Sequence, residues 1–250
     1  MDTKRTSLSC STVAVTLVGA AAFVACSNSG TSANQTNIFE HLRARSDSVS
    51  RAPNGLYRTV REAMPDIEYD LDGRDLRASE LFVAGTIASV EAARSFRWEF
   101  LDDVEQRIEV GNDDPSRQVT TYHFVVAVDG FTAAPTVEAP TKQIVVGLAV
   151  SSGRGTPTAE VESLVGLRVA LVLIHSSVFD YDPGVWGVLQ DGEFLGVVSP
   201  EGRITYPALM PDDPLLSDSA LTVTKLFGEP ERRIIRVVAG DTPGAFIRID

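Results

Sequence analysis

Short runs of apolar residues separated by turn residues dominate the chain from Leu81 onward. The run at 104–110 alternates between aliphatic and charged residues, which is typical of a half-exposed strand. Four other runs are nearly continuous and favour central strands, and these lie at 81–90, 119–128, 142–150 and 167–174. Gly85 lies inside the first of them and predicts a bulge or sharp bend where a barrel strand must curve.

The later part of the chain shows the same pattern with shorter runs. Apolar segments at 185–189, 193–198 and 203–206 are joined by Gln190-Asp191-Gly192 and Pro200-Glu201-Gly202. Because glycine readily adopts the positive φ of tight turns, these joints predict hairpins and a meander. The tail adds runs at 220–227, 232–238 and 245–249, of which the first suits either a helix or a strand.

Many short strands with little long helix predict an all-β fold with minor α content. The fold class is therefore a single antiparallel β-barrel or a β-sandwich. No internal repeat is present in the spacing of the runs.

The amino terminus carries an uncharged apolar stretch at 13–25, preceded by Lys4 and Arg5. A helix of this length rises about 20 Å, against a bilayer core of roughly 30 Å, so the stretch predicts a signal peptide rather than a membrane span. It ends in Phe23-Val24-Ala25-Cys26, which resembles a bacterial lipobox. The resemblance implies cleavage before Cys26 and attachment of lipid to that cysteine, where two acyl chains give stable anchoring. Ordinary secretion, with cleavage near Ala22 or Ala25, is the alternative.

The remaining sequence suggests three parts. Residues 1–25 are the predicted lipoprotein signal peptide, and residues 26–50, rich in Ser, Asn and Thr, are interpreted as a flexible tether. Residues 51–250 are predicted to form one all-β domain, with a barrel core at about 75–210 and added C-terminal strands. Within it, a helical turn is expected at 57–64, before Pro65, and a second short helix or turn near 74–80.

Composition and charge restrict the function. The 250 residues are 44% hydrophobic and 22% charged, and 22 basic against 34 acidic side chains give a net charge of −12. That composition is typical of a globular protein, and its acidity does not favour nucleic acid or a polybasic membrane contact. Cys10 lies in the predicted signal peptide, so Cys26 alone would remain and no disulfide or thiolate metal cluster is expected.

Three segments carry a resemblance to a group of uncharacterised bacterial secreted proteins with a small OB-like or netrin-like β-barrel. They are the opening strand at 79–87, the mid-chain strand at 166–173 and the late segment from Trp186-Gly187 to Gly196-Val197. The resemblance covers roughly residues 75–210 and implies the barrel fold. The disulfides of netrin-like inhibitors are missing, so an inhibitory function does not follow, and fold analogy alone does not assign one.

No catalytic motif is assembled along the chain. A nucleophile elbow, an S-x-x-K arrangement, a phosphate loop and paired-histidine metal spacing are all absent from the sequence, so no catalytic residue, metal site or cofactor is predicted. His41 is expected to be solvated, His123 to be a hydrogen-bonded strand residue facing away from Tyr122 and Phe124, and His175 to lie at a barrel rim. His175 has Asp180 and Asp182 as possible partners.

Acidic residues and aromatic residues cluster without matching a known site. Asp70–Asp75 begins like a calcium loop but has glycine at the wrong position and Leu81 where the loop needs glutamate. The acids between Asp102 and Asp114 are interpreted as decoration of a strand and its turn. The aromatic groups at 96–100 and at 179–186 are expected either to close the barrel or to form a recognition rim.

We therefore expect an extracytoplasmic lipoprotein held to a bacterial cell membrane by lipid at Cys26. Its barrel is expected to be a non-catalytic module that binds a protein, a glycan or a small ligand. The alternative is a secreted hydrolase in which His123 or His175 meets a carboxylate in a cleft.

Overall fold

The computed structural model describes residues 33–46, 60–101, 104–151, 158–175, 184–209, 222–227, 233–241 and 246–249. The stretch predicted to be a signal peptide, Cys26, Asp180 and Asp182 lie outside these residues. Twelve described strands and three short helices make the fold all-β with minor α content, as the apolar pattern predicted. Among the described residues, no helix is long and apolar enough to cross a membrane.

The strands form two sheets. Their bounds are β1 Ile67–Leu71, β2 Arg74–Leu76, β3 Leu81–Leu101, β4 Val104–Val110, β5 Val119–Ala133, β6 Gln143–Ser151, β7 Arg168–His175, β8 Val185–Val188, β9 Leu195–Val198, β10 Ile204–Thr205, β11 Arg233–Ala239 and β12 Phe246–Arg248. The helices are α1 Ala33–Ser46, α2 Thr158–Glu162 and α3 Val223–Phe227, with 3-10 turns at Val60–Ala63 and Leu189–Gly192.

Five strands close into a barrel in the order β3-β5-β6-β8-β7 and back to β3. β6 and β8 run parallel, and the other neighbours in the ring run antiparallel. The short helix α2 lies between β6 and β7 in the chain. The structure is thus a small closed five-stranded barrel, compatible with an OB-like fold, rather than a sandwich.

Gly85 allows β3 to bend around the barrel. The β3–β5 register shifts between Ala84 and Gly85, which is the predicted irregularity. A Cβ atom at Gly85 would lie 2.2 Å from the carbonyl oxygen of Ala127, far inside van der Waals contact. Only glycine lets the two backbones approach this closely.

The barrel interior is filled by side chains from alternate strand positions. On β5, Tyr122, Phe124 and Val126 are buried, whereas His123 and Val125 are only half-buried. This is the alternation that the sequence predicted for His123.

Helix α1 corrects the interpretation of residues 26–50 as a flexible tether. Residues 33–46 are helical, and Ile38, Phe39 and Leu42 are buried in the main core. Their spacing places them on one face of a helix, and burial of that face stabilises a helix whose polar residues suggested a linker.

Besides the burial of its apolar face, α1 makes polar contacts with the carboxylate of Glu160 on α2. This carboxylate accepts a hydrogen bond from Asn37 Nδ2 at 3.3 Å and lies 3.4 Å from His41 Nε2. The amide nitrogen of Gln35 also donates to the carbonyl oxygen of Ser163, at 2.8 Å. His41 is exposed, yet it belongs to this helix contact rather than to a solvated linker.

A four-stranded sheet in the order β12-β11-β1-β2 lies beside the barrel. Asp72 and Gly73, with φ of 48° and 77°, form the two-residue loop between β1 and β2, as the Asp-Gly sequence of a type I′ turn allows. The short helix considered near 74–80 is therefore wrong, because Arg74–Leu76 pairs with β1.

The predicted meander from 185 to 206 is right only in its second half. β9 and β10 form a hairpin, but β8 does not pair with β9. Instead, β8 and β9 follow each other along the same strand, β7, with a 3-10 turn between them. At the tail, the ambiguous run at 220–227 contains a helix.

Candidate functional site

A cleft of about 730 Å³ lies on the outer side of the barrel, towards the end where β7 finishes and β8 begins. Its lining comes from the residue before β3, the middle of β5, the loop after β5, the start of β6, and the facing ends of β7 and β8. The residues are Glu80, Val125, Thr136, Val137, Glu138, Ala139, Pro140, Thr141, Gln143, Ile144, Val145, His175, Gly184 and Trp186. We call this feature the cleft, and its side of the barrel the cleft end.

Backbone pairing fixes Glu80 at the rim of the cleft. Its amide donates to the carbonyl of Leu173 at 2.9 Å, and its carbonyl accepts from the amide of Ala134 at 2.8 Å. Glu80 therefore connects the end of β7 with the loop that follows β5, and its carboxylate is held beside His175.

His175 contacts both Glu80 and Trp186. The backbone amide of His175 donates to Glu80 Oε2 at 2.5 Å, and its Nδ1 lies 3.2 Å from the same oxygen. The imidazole ring stacks on Trp186 with centroids 3.9 Å apart and a tilt of 37°. The pairing of β7 with β8 produces this stack, because His175 and Trp186 are register partners.

The chemistry of this group follows from the carboxylate. When Nδ1 carries a proton, it donates to Glu80 and leaves Nε2 as the acceptor, which fixes both the tautomer and the ring plane. The side chain of His175 is 57% exposed, so Nε2 is accessible to a ligand or to water. A polar atom next to a stacked aromatic pair can orient an amphipathic ligand.

Apolar side chains form the floor of the cleft. Val125 and Val145 are register partners on β5 and β6, and both are half-buried on the outer side of the barrel. Polar groups surround them, among them the carboxylate of Glu138 and the side chain of Gln143. Among the described residues that line the cleft, none is Lys or Arg, which disfavours an anionic ligand.

The second group of candidates lies far from the cleft, on a hairpin that we call the arm. The arm consists of Ser95–Leu101 of β3 and Val104–Val110 of β4, paired from Ser95 with Val110 to Leu101 with Val104. Phe96 is buried beneath the guanidinium groups of Arg94 and Arg107, whose carbon atoms lie 5.3 and 4.7 Å from the ring centroid. Trp98 and Phe100, on the same face, are 42% and 75% exposed.

The acids of the arm have structural partners. Arg94 donates to Glu109 Oε2 at 2.7 Å, and this hydrogen bond holds the pKa of Glu109 below its ordinary value. In the following turn, the Ser116 hydroxyl and amide both donate to Asp114 Oδ1 and lower the pKa of Asp114. The predicted decoration of a strand and its turn describes these two residues correctly. Within the described part of the chain, no group of three metal-ligating side chains is present.

Sequence reasoning identified His175 and Trp186 but not Glu80. The residues named as partners of His175, Asp180 and Asp182, lie outside the described residues. Glu80 directly precedes a strand that pairs with β7, and no local pattern reveals that pairing because the two strands are far apart in the chain. His123 lies on the outer side of the barrel, paired with Gly147, and is not among the residues that line the cleft.

Comparisons with known proteins supply no further assignment. No family model, no curated protein and no solved structure matches the chain.

Proposed function

We propose that the protein is a lipoprotein of the bacterial cell envelope, anchored through Cys26, whose barrel binds a carbohydrate in the cleft. The observation that carries the ligand proposal is the stack of His175 on Trp186 beside the Glu80 carboxylate. Sugars present an apolar ring face to aromatic side chains and hydroxyl groups to carboxylates and amides, and the cleft offers both surfaces.

The charge of the cleft supports a neutral ligand. Glu80 and Glu138 line it without a neighbouring Lys or Arg among the described lining residues, so a sulfated, phosphorylated or nucleic acid ligand would be repelled. Small barrels of the OB type bind oligosaccharides and oligonucleotides on the face of their second and third strands. Here those strands correspond to β5 and β6, which form the cleft floor.

The ligand proposal is tested with named sugars. Maltotriose, mannotriose and chitotriose are titrated separately into the purified full chain while the amide and indole NMR signals are followed. We expect one of them to shift the Trp186 indole signal, and W186A and E80Q to weaken its binding at least about ten-fold. W98F is the matched control, because it changes the other tryptophan and should leave the affinity unchanged. Shifts with none of the three sugars, or equal loss in W98F, would reject the proposal.

The anchor is tested on the whole cell. We expect the wild-type chain to fractionate with membranes and to carry the mass of a diacylglyceryl cysteine, and Cys26→Ala to lose both. Cys10→Ala is the control, because the lipobox resemblance places the lipid on Cys26 alone. A Cys26→Ala protein that still fractionates with membranes would contradict the anchor.

A second function is supported by the contact between Glu80 and His175. With Nδ1 held by the carboxylate, Nε2 has the geometry of a general base that removes a proton from water as the water attacks an ester carbonyl. Collapse of the tetrahedral intermediate returns that proton to the leaving alkoxide. The products are a carboxylic acid and an alcohol, and the neutral imidazole is regenerated.

This alternative predicts hydrolysis of p-nitrophenyl butyrate that H175A removes and H123A retains. Equal rates in wild type and H175A would exclude it. If H123A also loses the hydrolytic activity, that activity does not come from the cleft.

A further inference from the structure

The aromatic face of the arm is the feature that the cleft does not use. Trp98 and Phe100 are large, lie next to each other on one face and are both exposed. They occupy a rigid position, since seven residue pairs join β3 to β4 and the backbone amide of Trp98 donates to Gln118 Oε1 at 2.6 Å. Exposed aromatic clusters of this kind mark contact surfaces.

The register of β3 shows where the arm leaves the barrel. The strand begins at the cleft end and passes the turn between α2 and β7 at Ile87, whose amide and carbonyl bond to Leu167 and Gly166. It then continues into the arm. Phe96 is the last β3 residue that pairs with β5. The arm therefore lies at the opposite end of β3 from Glu80, which lines the cleft.

The chain that leads from Cys26 arrives on the same side. Gln35, in the first turn of α1, bonds to Ser163 immediately after α2, and the six residues between Cys26 and Ala33 make seven Cα-to-Cα steps. Seven such steps extend at most about 25 Å. Trp98 lies eleven residues beyond Ile87, at most about 36 Å along the strand, so Cys26 and Trp98 can reach one bilayer surface only when β3 is inclined to that surface.

We infer that the arm rests on the lipid bilayer, with Trp98 and Phe100 in its interfacial region and the cleft directed away from it. This inference rests on the proposed anchor at Cys26. Trp side chains concentrate at membrane interfaces because an apolar ring body and a polar N–H fit that boundary. The contact supplements the lipid chains and fixes the orientation of the barrel.

Charge restricts the kind of bilayer contact. The whole chain carries −12, and Glu105 and Glu109 lie across from Phe100 and Phe96, so attraction to anionic lipids cannot hold the arm. The contact is therefore apolar and should be strongest on zwitterionic lipid, with Arg94 and Arg107 at the level of Phe96 near the phosphate groups.

The two tryptophans of the chain make the inference measurable, because Trp98 lies on the arm and Trp186 in the cleft. The lipidated full chain is placed on vesicles of phosphatidylcholine brominated near the headgroup end of the acyl chain, and tryptophan emission is compared with that on unbrominated vesicles. In W186F, which retains Trp98, we expect about two-fold quenching. In W98F, which retains Trp186, we expect none.

Matched variants identify the contact. Phe100→Ala in the W186F background should reduce the quenching of Trp98. Phe131→Ala in the same background should not, because Phe131 is also exposed but pairs with Val83 at the cleft end. If W186F fails to fold by circular dichroism, the wild-type signal minus that of W98F gives the same contrast.

The outcomes separate this inference from the anchor. A lipidated chain that floats with vesicles but shows an unquenched Trp98, or equal quenching of both tryptophans, overturns the arm contact and leaves the anchor standing. A chain that lacks the lipid mass and stays in solution overturns the anchor and the arm contact together.

Discussion

The two halves of β3 have the same strand geometry but opposite exposure. From Leu81 to Gly85 the strand lies between β5 and β7, and all five residues are buried. From Trp98 onward it pairs with β4 alone, and Trp98 and Phe100 are exposed. The difference shows that partner strands, rather than residue type, determine whether an aromatic residue of this strand is buried or exposed.

Replacement of a phenylalanine by alanine should give the largest difference in stability between the two parts of β3. Phe82 is fully buried in the barrel half, so Phe82→Ala is expected to lower the free energy of unfolding by about 3–5 kcal/mol. Phe100→Ala in the arm should change it by less than about 0.5 kcal/mol. Urea unfolding followed by far-UV circular dichroism measures both, and similar losses would show that the arm is packed more tightly than its exposure indicates.

Glycine offers the next contrast. Gly85→Ala places a methyl group against the Ala127 carbonyl and should cost about 2–3 kcal/mol, because backbone must move. Gly111→Ala, in the turn after β4, meets only the side chain of Asp113, which can rotate, and should cost less than about 1 kcal/mol. Urea unfolding measures the stability of both variants. If Gly85→Ala unfolds with the same free energy as the wild type, that result would contradict the close approach of β3 and β5.

The smallest effect concerns the charge pair of the arm. Arg94 lowers the pKa of Glu109, so the pair stabilises the fold above the unfolded-state pKa of Glu109, and this contribution is lost as pH falls through the lower folded value. The pair is exposed, so the contribution should be about 0.5 kcal/mol or less.

Carboxyl NMR titration should show the pKa of Glu109 rising towards its ordinary value in Arg94→Gln. Asp114, which is bonded to Ser116, serves as the internal control and should titrate unchanged. An unaltered Glu109 titration would mean that another group lowers its pKa.

Local pattern predicted the strands of the barrel but not the extent of the longest one. The apolar runs at 104–110, 142–150 and 167–174 correspond to β4, β6 and β7 within a residue or two at each end. The continuation of β3 through 91–101 was missed, because Glu91-Ala92-Ala93-Arg94 interrupts the apolar run before the alternating segment at 96–100. The conformation of the interrupting residues depends on pairing with β5.

The candidate site was predicted in part for a similar reason. His175 at a rim and Trp186 nearby followed from where apolar runs end, but the carboxylate partner depends on the register of β3 with β7. Helix α1 was also missed, since three apolar residues among polar ones become informative only when a core exists to bury them. The carboxylate partner of His175 and helix α1 thus both depend on long-range contacts, which the local sequence does not reveal.

The parallel pairing of β1 with β11 has a consequence for how the molecule is made. It joins Ile67 with Arg233 and Leu71 with Val237. A strand near the start of the domain therefore lacks this partner until a strand near the end of the domain is available. The closing of β3 on β7 also spans a long stretch of chain. Such non-local contacts make folding slow, because loop closure must precede the contacts that stabilise it. On an emerging chain, the four-stranded sheet therefore cannot be completed until β11 has been made.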